Sequence, residues 1–117
     1  MTIAHVEMLI IGAGLSGIGA AYHFQKNFPH KSYVILEGRS RMGGTWDLFK
    51  YPGIRSDSDM YTLGYNFKPW TGKKSIADGA DINAYIRETA DENAITQHIK
   101  FNHKTVAANY STVDKKW

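Results

Sequence analysis

Met8-Leu9-Ile10-Ile11-Gly12-Ala13-Gly14-Leu15-Ser16-Gly17 is the stretch that decides the fold. The apolar run from Met8 predicts a strand, His5 to Ile11, of the kind buried on both faces at the centre of a parallel sheet. Three glycines spaced Gly-x-Gly-x-x-Gly follow at once. Beyond them Ile18, Ala21, Tyr22 and Phe24 recur at helical spacing, predicting a helix from Leu15 to Asn27 that stops before Pro29. Tyr33 to Leu36 predicts a second strand, closed by Glu37. Strand, helix and strand form a βαβ unit of about thirty residues.

In that setting the glycines have separate geometric tasks. Gly12 makes the tight turn out of the strand, Gly14 leaves room for a diphosphate, and Gly17 lets helix and strand pack closely. Free N–H groups and the positive end of the helix dipole would hold the phosphates. Glu37 lies twenty positions after Gly17, where a carboxylate suits the two hydroxyls of an adenosine ribose and repels a 2′-phosphate. The unit therefore predicts binding of FAD or NAD and not NADP.

Outward from this unit the chain changes character. Arg39 to Lys74 is rich in glycine and aromatics with little periodicity, a long loop of the functional kind. Asp78 predicts a helix cap, with Ile82, Tyr85, Ile86, Thr89 and Ala90 on one face of a helix reaching about Glu92. Asn93 is placed to end it in the left-handed conformation. Ile99 to Trp117 has strand character and reads as the start of a β-meander. The expected fold is α/β, a partial doubly wound, Rossmann-like parallel sheet carrying a long loop.

Composition narrows the class. The 117 residues are 43% hydrophobic and 21% charged, which is a folding chain and not a disordered one. There is no cysteine, which removes disulfides and thiol nucleophiles. The net charge of +3 comes from interspersed residues with no basic run, so no nucleic-acid partner is expected. The apolar run is too short for a membrane span and lacks the flanks of a signal peptide, giving a cytoplasmic protein as the simplest expectation. The five histidines show no metal-ligand spacing. No serine sits in a nucleophile elbow.

Two further runs carry a resemblance. Gly43-Gly44-Thr45-Trp46-Asp47 and Tyr51-Pro52-Gly53-Ile54-Arg55-Ser56-Asp57-Ser58-Asp59 resemble the FAD-binding N-terminus of flavoprotein monooxygenases. The likeness is to the Baeyer–Villiger type, in particular the ethionamide-activating subgroup, and Phe67-Lys68-Pro69-Trp70-Thr71-Gly72 resembles that subgroup too. The resemblance runs over essentially the whole chain but only the first quarter of such an enzyme. It implies that residues 1–117 are the N-terminal part of an FAD domain, a fragment lacking the NADPH domain. It implies oxygenation of a ketone, or of sulfur or nitrogen, through a C4a-peroxyflavin, with NADPH and O2 consumed. The fragment alone would be inactive.

The resemblance also assigns residues. Gly12, Gly14, Ser16 and Gly17 would line the diphosphate, Glu37 would take the ribose, and Gly44, Thr45 and Trp46 would pass the flavin half. Asp57 would be the active-site carboxylate, pairing with an arginine from the NADPH domain. The residues alone leave other readings open. Trp46 could be ordinary core, and Asp57 and Asp59 could be turn residues or helix caps. A non-catalytic adenine-nucleotide module, or part of another two-domain flavin oxidoreductase, also remains open. An exposed sheet edge near Val106 predicts a dimer.

Overall fold

In a computed structural model, which describes residues 4–117, the elements follow in the order β1 (Met8–Ile11), α1 (Leu15–Asn27), β2 (Tyr33–Leu36), α2 (Thr45–Leu48), α3 (Met60–Leu63), α4 (Gly79–Glu92) and β3 (Ile99–Lys100). A single 3-10 turn, Thr96–His98, leads into β3. The sheet order is β1-β2-β3 and both pairings are parallel. Met8 pairs with Tyr33 and Ile11 with Leu36, so the ends of β1 and β2 are level. Level strand ends bring the loops after both strands to the same rim, where open α/β sheets bind ligands.

The core lies on one face of this sheet. Ile10 and Ile35 point into it and meet Ile18 and Ala21 of α1. Alternation then sends Leu9 and Ile11 to the other face, where they are 45% and 60% exposed. The expectation of a strand buried on both faces is thus corrected. On the second face Leu9, Ile11, Val34 and Leu36 line a groove of 860 Å3 with residues of the stretch from Thr105 to Trp117, which does not pack against them closely, and β1 is an edge strand with β2 at the centre. Regular pairing also begins at Met8, not His5, because a bend at Glu7 precedes it. In α4, Ile82, Tyr85, Ile86, Thr89 and Ala90 are buried, as their spacing predicts.

Several local expectations change. Asp78 makes no side-chain cap to α4; its carboxylate pairs with Lys74 at 3.0 Å. Asn93 keeps a negative φ and donates its amide to the Thr89 carbonyl, while Ala94 takes the left-handed turn with φ 56°. The predicted meander is reduced to β3, which joins in parallel, and one antiparallel bridge between Ser111 and Lys116. Val106 and Val113 are each 89% exposed. Strand propensity there has no surface to pack on, and packing is most of what such propensity measures.

The long segment after β2 is ordered by two short helices and by aromatic contacts. Tyr65 donates its phenol to the Leu15 carbonyl at the start of α1, and its N–H donates to the Tyr85 hydroxyl at 2.8 Å. Tyr85 in turn donates to the Lys68 carbonyl at 2.6 Å. Burial, then the neighbouring Tyr85, pushes the Tyr65 phenol well above its ordinary range, so it remains a donor. These bonds tie the loop to both α1 and α4. No helix among the described residues is long and apolar enough to cross a membrane.

Candidate functional site

The β1–α1 turn is built by exclusion of side chains. A Cβ on Gly17 would lie 1.9 Å from the Gly12 carbonyl oxygen, so only glycine permits this approach of helix to strand. Gly12 itself has φ 98°, and its N–H donates to the Leu36 carbonyl at 2.9 Å. Helix α1 has no side-chain cap and no acid in its first turn. The N–H groups of Leu15, Ser16 and Gly17 meet no backbone acceptor, as the first turn of any helix dictates.

A second glycine turn faces the first. The Gly43 N–H donates to the Ala13 carbonyl at 2.9 Å. A Cβ on Gly44, whose φ is 56°, would lie 3.2 Å from the Gly14 Cα, a tight contact, whereas one on Gly14 would meet the Gly44 Cα at an ordinary 3.6 Å. Between the turns runs a groove of 290 Å3 lined by Gly12, Gly14, Ser16, Gly17, Gly44 and Thr45, with Trp46 at its end. A second groove, of 480 Å3, continues from Thr45 and Trp46 to Tyr51, Arg55, Asp57 and Ser58. The two have Thr45 and Trp46 in common, so they adjoin at the start of α2 as a trough of two parts.

Glu37 stands at the end of β2 and is 9% exposed. Its Oε1 accepts the Ala13 N–H and its Oε2 accepts the Arg39 N–H, each at 2.9 Å. Each oxygen keeps a further lone pair for a hydroxyl donor. The donor-rich turn, the side-chain-free floor and this carboxylate fit a dinucleotide diphosphate with one ribose. The adjoining groove of 480 Å3 beyond Trp46 is large enough for a ring system.

The structure also separates the open readings of single residues. Trp46 is half-buried: one side packs on the core and the other lines both grooves. Asp59 is a helix cap, since its Oδ1 accepts the Thr62 N–H at 3.0 Å. Asp57 is exposed on the trough wall, two residues before that cap. The buried Ser56 holds this turn, with its N–H on the Ala77 carbonyl and its Oγ accepting the Ser58 N–H. Arg55 is held through its backbone, which bridges to Asp78.

Sequence reasoning missed one cluster. Asp47, 1% exposed, has Arg39 at 3.0 Å, Arg41 and Arg87 at 3.1 Å and Lys50 at 3.7 Å. The Asn83 amide donates to its Oδ1 at 3.2 Å. Burial by itself pushes the Asp47 carboxyl up. Arg41 first, then Asn83 and Arg39, outweigh it and hold the carboxyl below its usual range. The available signal was Asn83, an amide on the mostly apolar stripe of α4.

Known proteins agree with the likeness read from Gly43–Asp47 and Tyr51–Asp59. Over 113 residues the chain is 57% identical to the FAD-containing monooxygenase EthA of Mycobacterium tuberculosis, covering 97% of this chain and 23% of that protein. It is 52% identical over 113 residues to the probable FAD-binding monooxygenase AlmA of Acinetobacter baylyi, with the same coverage. The chain thus spans about a quarter of the length of the curated relatives it matches. Among solved structures it is similar to OTEMO in complex with FAD and NADP, at 28% identity and a TM-score of 0.82 over 96% of this chain and 22% of that one. It is also similar to cyclohexanone-bound cyclohexanone monooxygenase, at 25% identity and a TM-score of 0.84 over 93% of this chain and 22% of that one. These matches agree with the parallel α/β sheet and with the glycine turn at its rim. Residues 10–69 match the model of the NAD(P)-binding Rossmann-like domain, and the chain belongs to that family.

Proposed function

We propose that this chain is the FAD-binding portion of a flavin-dependent monooxygenase. The observation that carries the reading is the groove between the two glycine turns, adjoined at Thr45 and Trp46 by a second groove that Asp57 lines. Gly12, Gly14, Ser16 and Gly17 hold the diphosphate through backbone N–H groups and the α1 dipole. Glu37, positioned by two backbone donors, accepts the ribose hydroxyls. Gly44, Thr45 and Trp46 flank the flavin half. Bound FAD would supply two-electron redox chemistry and oxygen activation. The protein's part is to bind it, orient it and exclude water.

Asp57 is the catalytic carboxylate in this reading, an acceptor on the trough wall for a cation supplied by another part of the protein. The parent reaction consumes NADPH and O2 and oxygenates a small ketone, or a sulfur or nitrogen compound. Residues 1–117 act as the N-terminal part of the FAD domain, without activity by themselves, in the cytoplasm. The free outer edge of β1 pairs with a second copy to give a dimer.

The test is an equilibrium titration of the purified chain with FAD and, separately, with ADP, which carries the adenosine and diphosphate but no flavin. FAD should bind more tightly than ADP, and flavin absorption should stay with the protein after free flavin is removed. Absence of FAD binding at about 1 mM would refute the reading. Equal affinity for both ligands would favour the plain adenine-nucleotide module.

A further inference from the structure

Asp47 lines neither groove, yet among the described residues it has the most ion-pair partners. We infer that Asp47 is a positioning residue that sets the flavin half of the trough; the inference rests on the FAD reading above. Removing a carboxylate from water is costly unless its partners are close and well aligned. Here the partners come from three separate stretches. Arg39 and Arg41 follow β2, Lys50 follows α2, and Asn83 and Arg87 belong to α4. Asp47 is therefore where α2 is fixed to the rest of the fold.

The fixing reaches the trough through Gly43. A Cβ there would lie 2.9 Å from the Asp47 Cβ and 2.1 Å from the Asn83 Oδ1, so the Gly43 backbone fits directly beneath this pair. Gly43 in turn holds the Ala13 carbonyl, and Gly44 abuts Gly14. The line of contact runs from α4 through Asn83 and Asp47 to the second glycine turn and on to the first. Thr45 and Trp46 stand on α2 between Gly44 and Asp47, so their position follows that of Asp47.

The charges make this contact sensitive. Four cations share one carboxylate, so neutralising Asp47 leaves four like charges crowded around a neutral group. Mutual repulsion then spreads the three stretches, and α2 carries Thr45 and Trp46 away from the trough. The first glycine turn, although it also touches Gly43 and Gly44, has further anchors of its own on β2. Gly12 is bonded to β2 through Leu36, and Ala13 to Glu37. Asp47 thus controls the flavin end and leaves the adenosine end in place.

The test compares FAD and ADP affinity in the wild-type chain, Asp47→Asn and Arg87→Met, at a temperature where each is folded by circular dichroism. Asp47→Asn should raise the Kd for FAD about tenfold or more while the Kd for ADP stays within about twofold. Arg87→Met removes only the α4 cation and should shift FAD in the same direction by about threefold; it decides the matter if Asp47→Asn does not fold. Hydrogen exchange should show faster exchange at Trp46 to Leu48 in the variants, with the α1 amides unchanged. A general loss of structure would weaken both ligands alike, and that result overturns the inference. So does an unchanged FAD affinity in the folded variants. A wild-type chain that binds ADP and not FAD refutes the flavin reading itself, before any substitution is made.

Discussion

Gly17→Ala tests the foundation of the site, because two well-known effects predict opposite signs. Alanine inside a helix is favoured over glycine by about 1 kcal/mol. At residue 17 the added Cβ would stand 1.9 Å from the Gly12 carbonyl oxygen and 3.0 Å from its carbon. To restore even a tight contact, near 3 Å, the turn must withdraw by about 1 Å. It cannot do so freely. Gly12 donates to Leu36 and Ala13 donates to the buried Glu37 carboxylate, both at 2.9 Å. Lengthening the second bond forfeits part of about 1.5–3 kcal/mol, the first part of about 1 kcal/mol. Overpacking strain adds about 1–3 kcal/mol. Set against the propensity gain, the net is a loss of about 2–4 kcal/mol. For a chain of this length that lowers Tm by about 10 °C. Scanning calorimetry at neutral pH reads it directly. Gly19→Ala is the internal comparison, since its Cβ meets the edge of the Tyr65 ring at 2.9 Å, a milder overlap than the one with the Gly12 backbone. A Gly17→Ala chain as stable as wild type, or less affected than Gly19→Ala, would refute the close-packing argument.

Other consequences can be checked with the same preparations. Glu37→Ala should weaken FAD binding by about 1–3 kcal/mol, the scale of a charged hydrogen bond; unchanged affinity by titration removes Glu37 from the ribose. Asp57→Ala should leave FAD bound and shift stability by no more than about 0.5 kcal/mol, since Asp57 is exposed; a larger drop in the urea midpoint would assign it to the turn. Asp47 is held below its ordinary pKa of 3.8, chiefly by Arg41 against the opposing effect of burial, so its stabilisation is complete above that value and lost as pH falls through the folded one. Asp47→Asn should flatten the acid limb of stability measured between about pH 2 and 5; an unaltered limb would contradict the pairing. Light scattering at micromolar concentration should show a dimer, and a sharp monomer peak would remove edge pairing by β1.

The local part of the fold was legible because local rules govern it. Leu15–Asn27 and Tyr33–Leu36 form where periodicity and Pro29 place them, and α4 buries the face its spacing marks. Failures occur where tertiary contact decides. Leu9 and Ile11 look like a doubly buried strand, yet apolar character cannot say whether a second layer is present. Val106 and Val113 carry strand propensity without packing partners, each 89% exposed. At Asn93 and Ala94, the Asn93 side chain finds the Thr89 carbonyl, and the left-handed turn moves one residue along.

The site divides along the same line. Gly12, Gly14, Gly17 and Glu37 announce themselves because a tight turn, a close approach and the proposed ribose contact each restrict residue type at fixed spacing. Asp47 does not, because its meaning lies in partners 6 and 8 residues before it and 36 and 40 after it. No single-sequence pattern encodes that a lone acid will be reached by three arginines. Yet the two kinds of residue depend on each other. The glycines make a floor that admits a ligand, but glycine turns are conformationally loose by themselves. Fixing Gly43 and Gly44 against Gly14 requires something rigid behind them, and a buried, many-partnered carboxylate joined to a fourteen-residue helix supplies it. On the proposed reading, the legible half of the site sets what can bind, and the half hidden from the sequence sets how firmly the groove holds its shape.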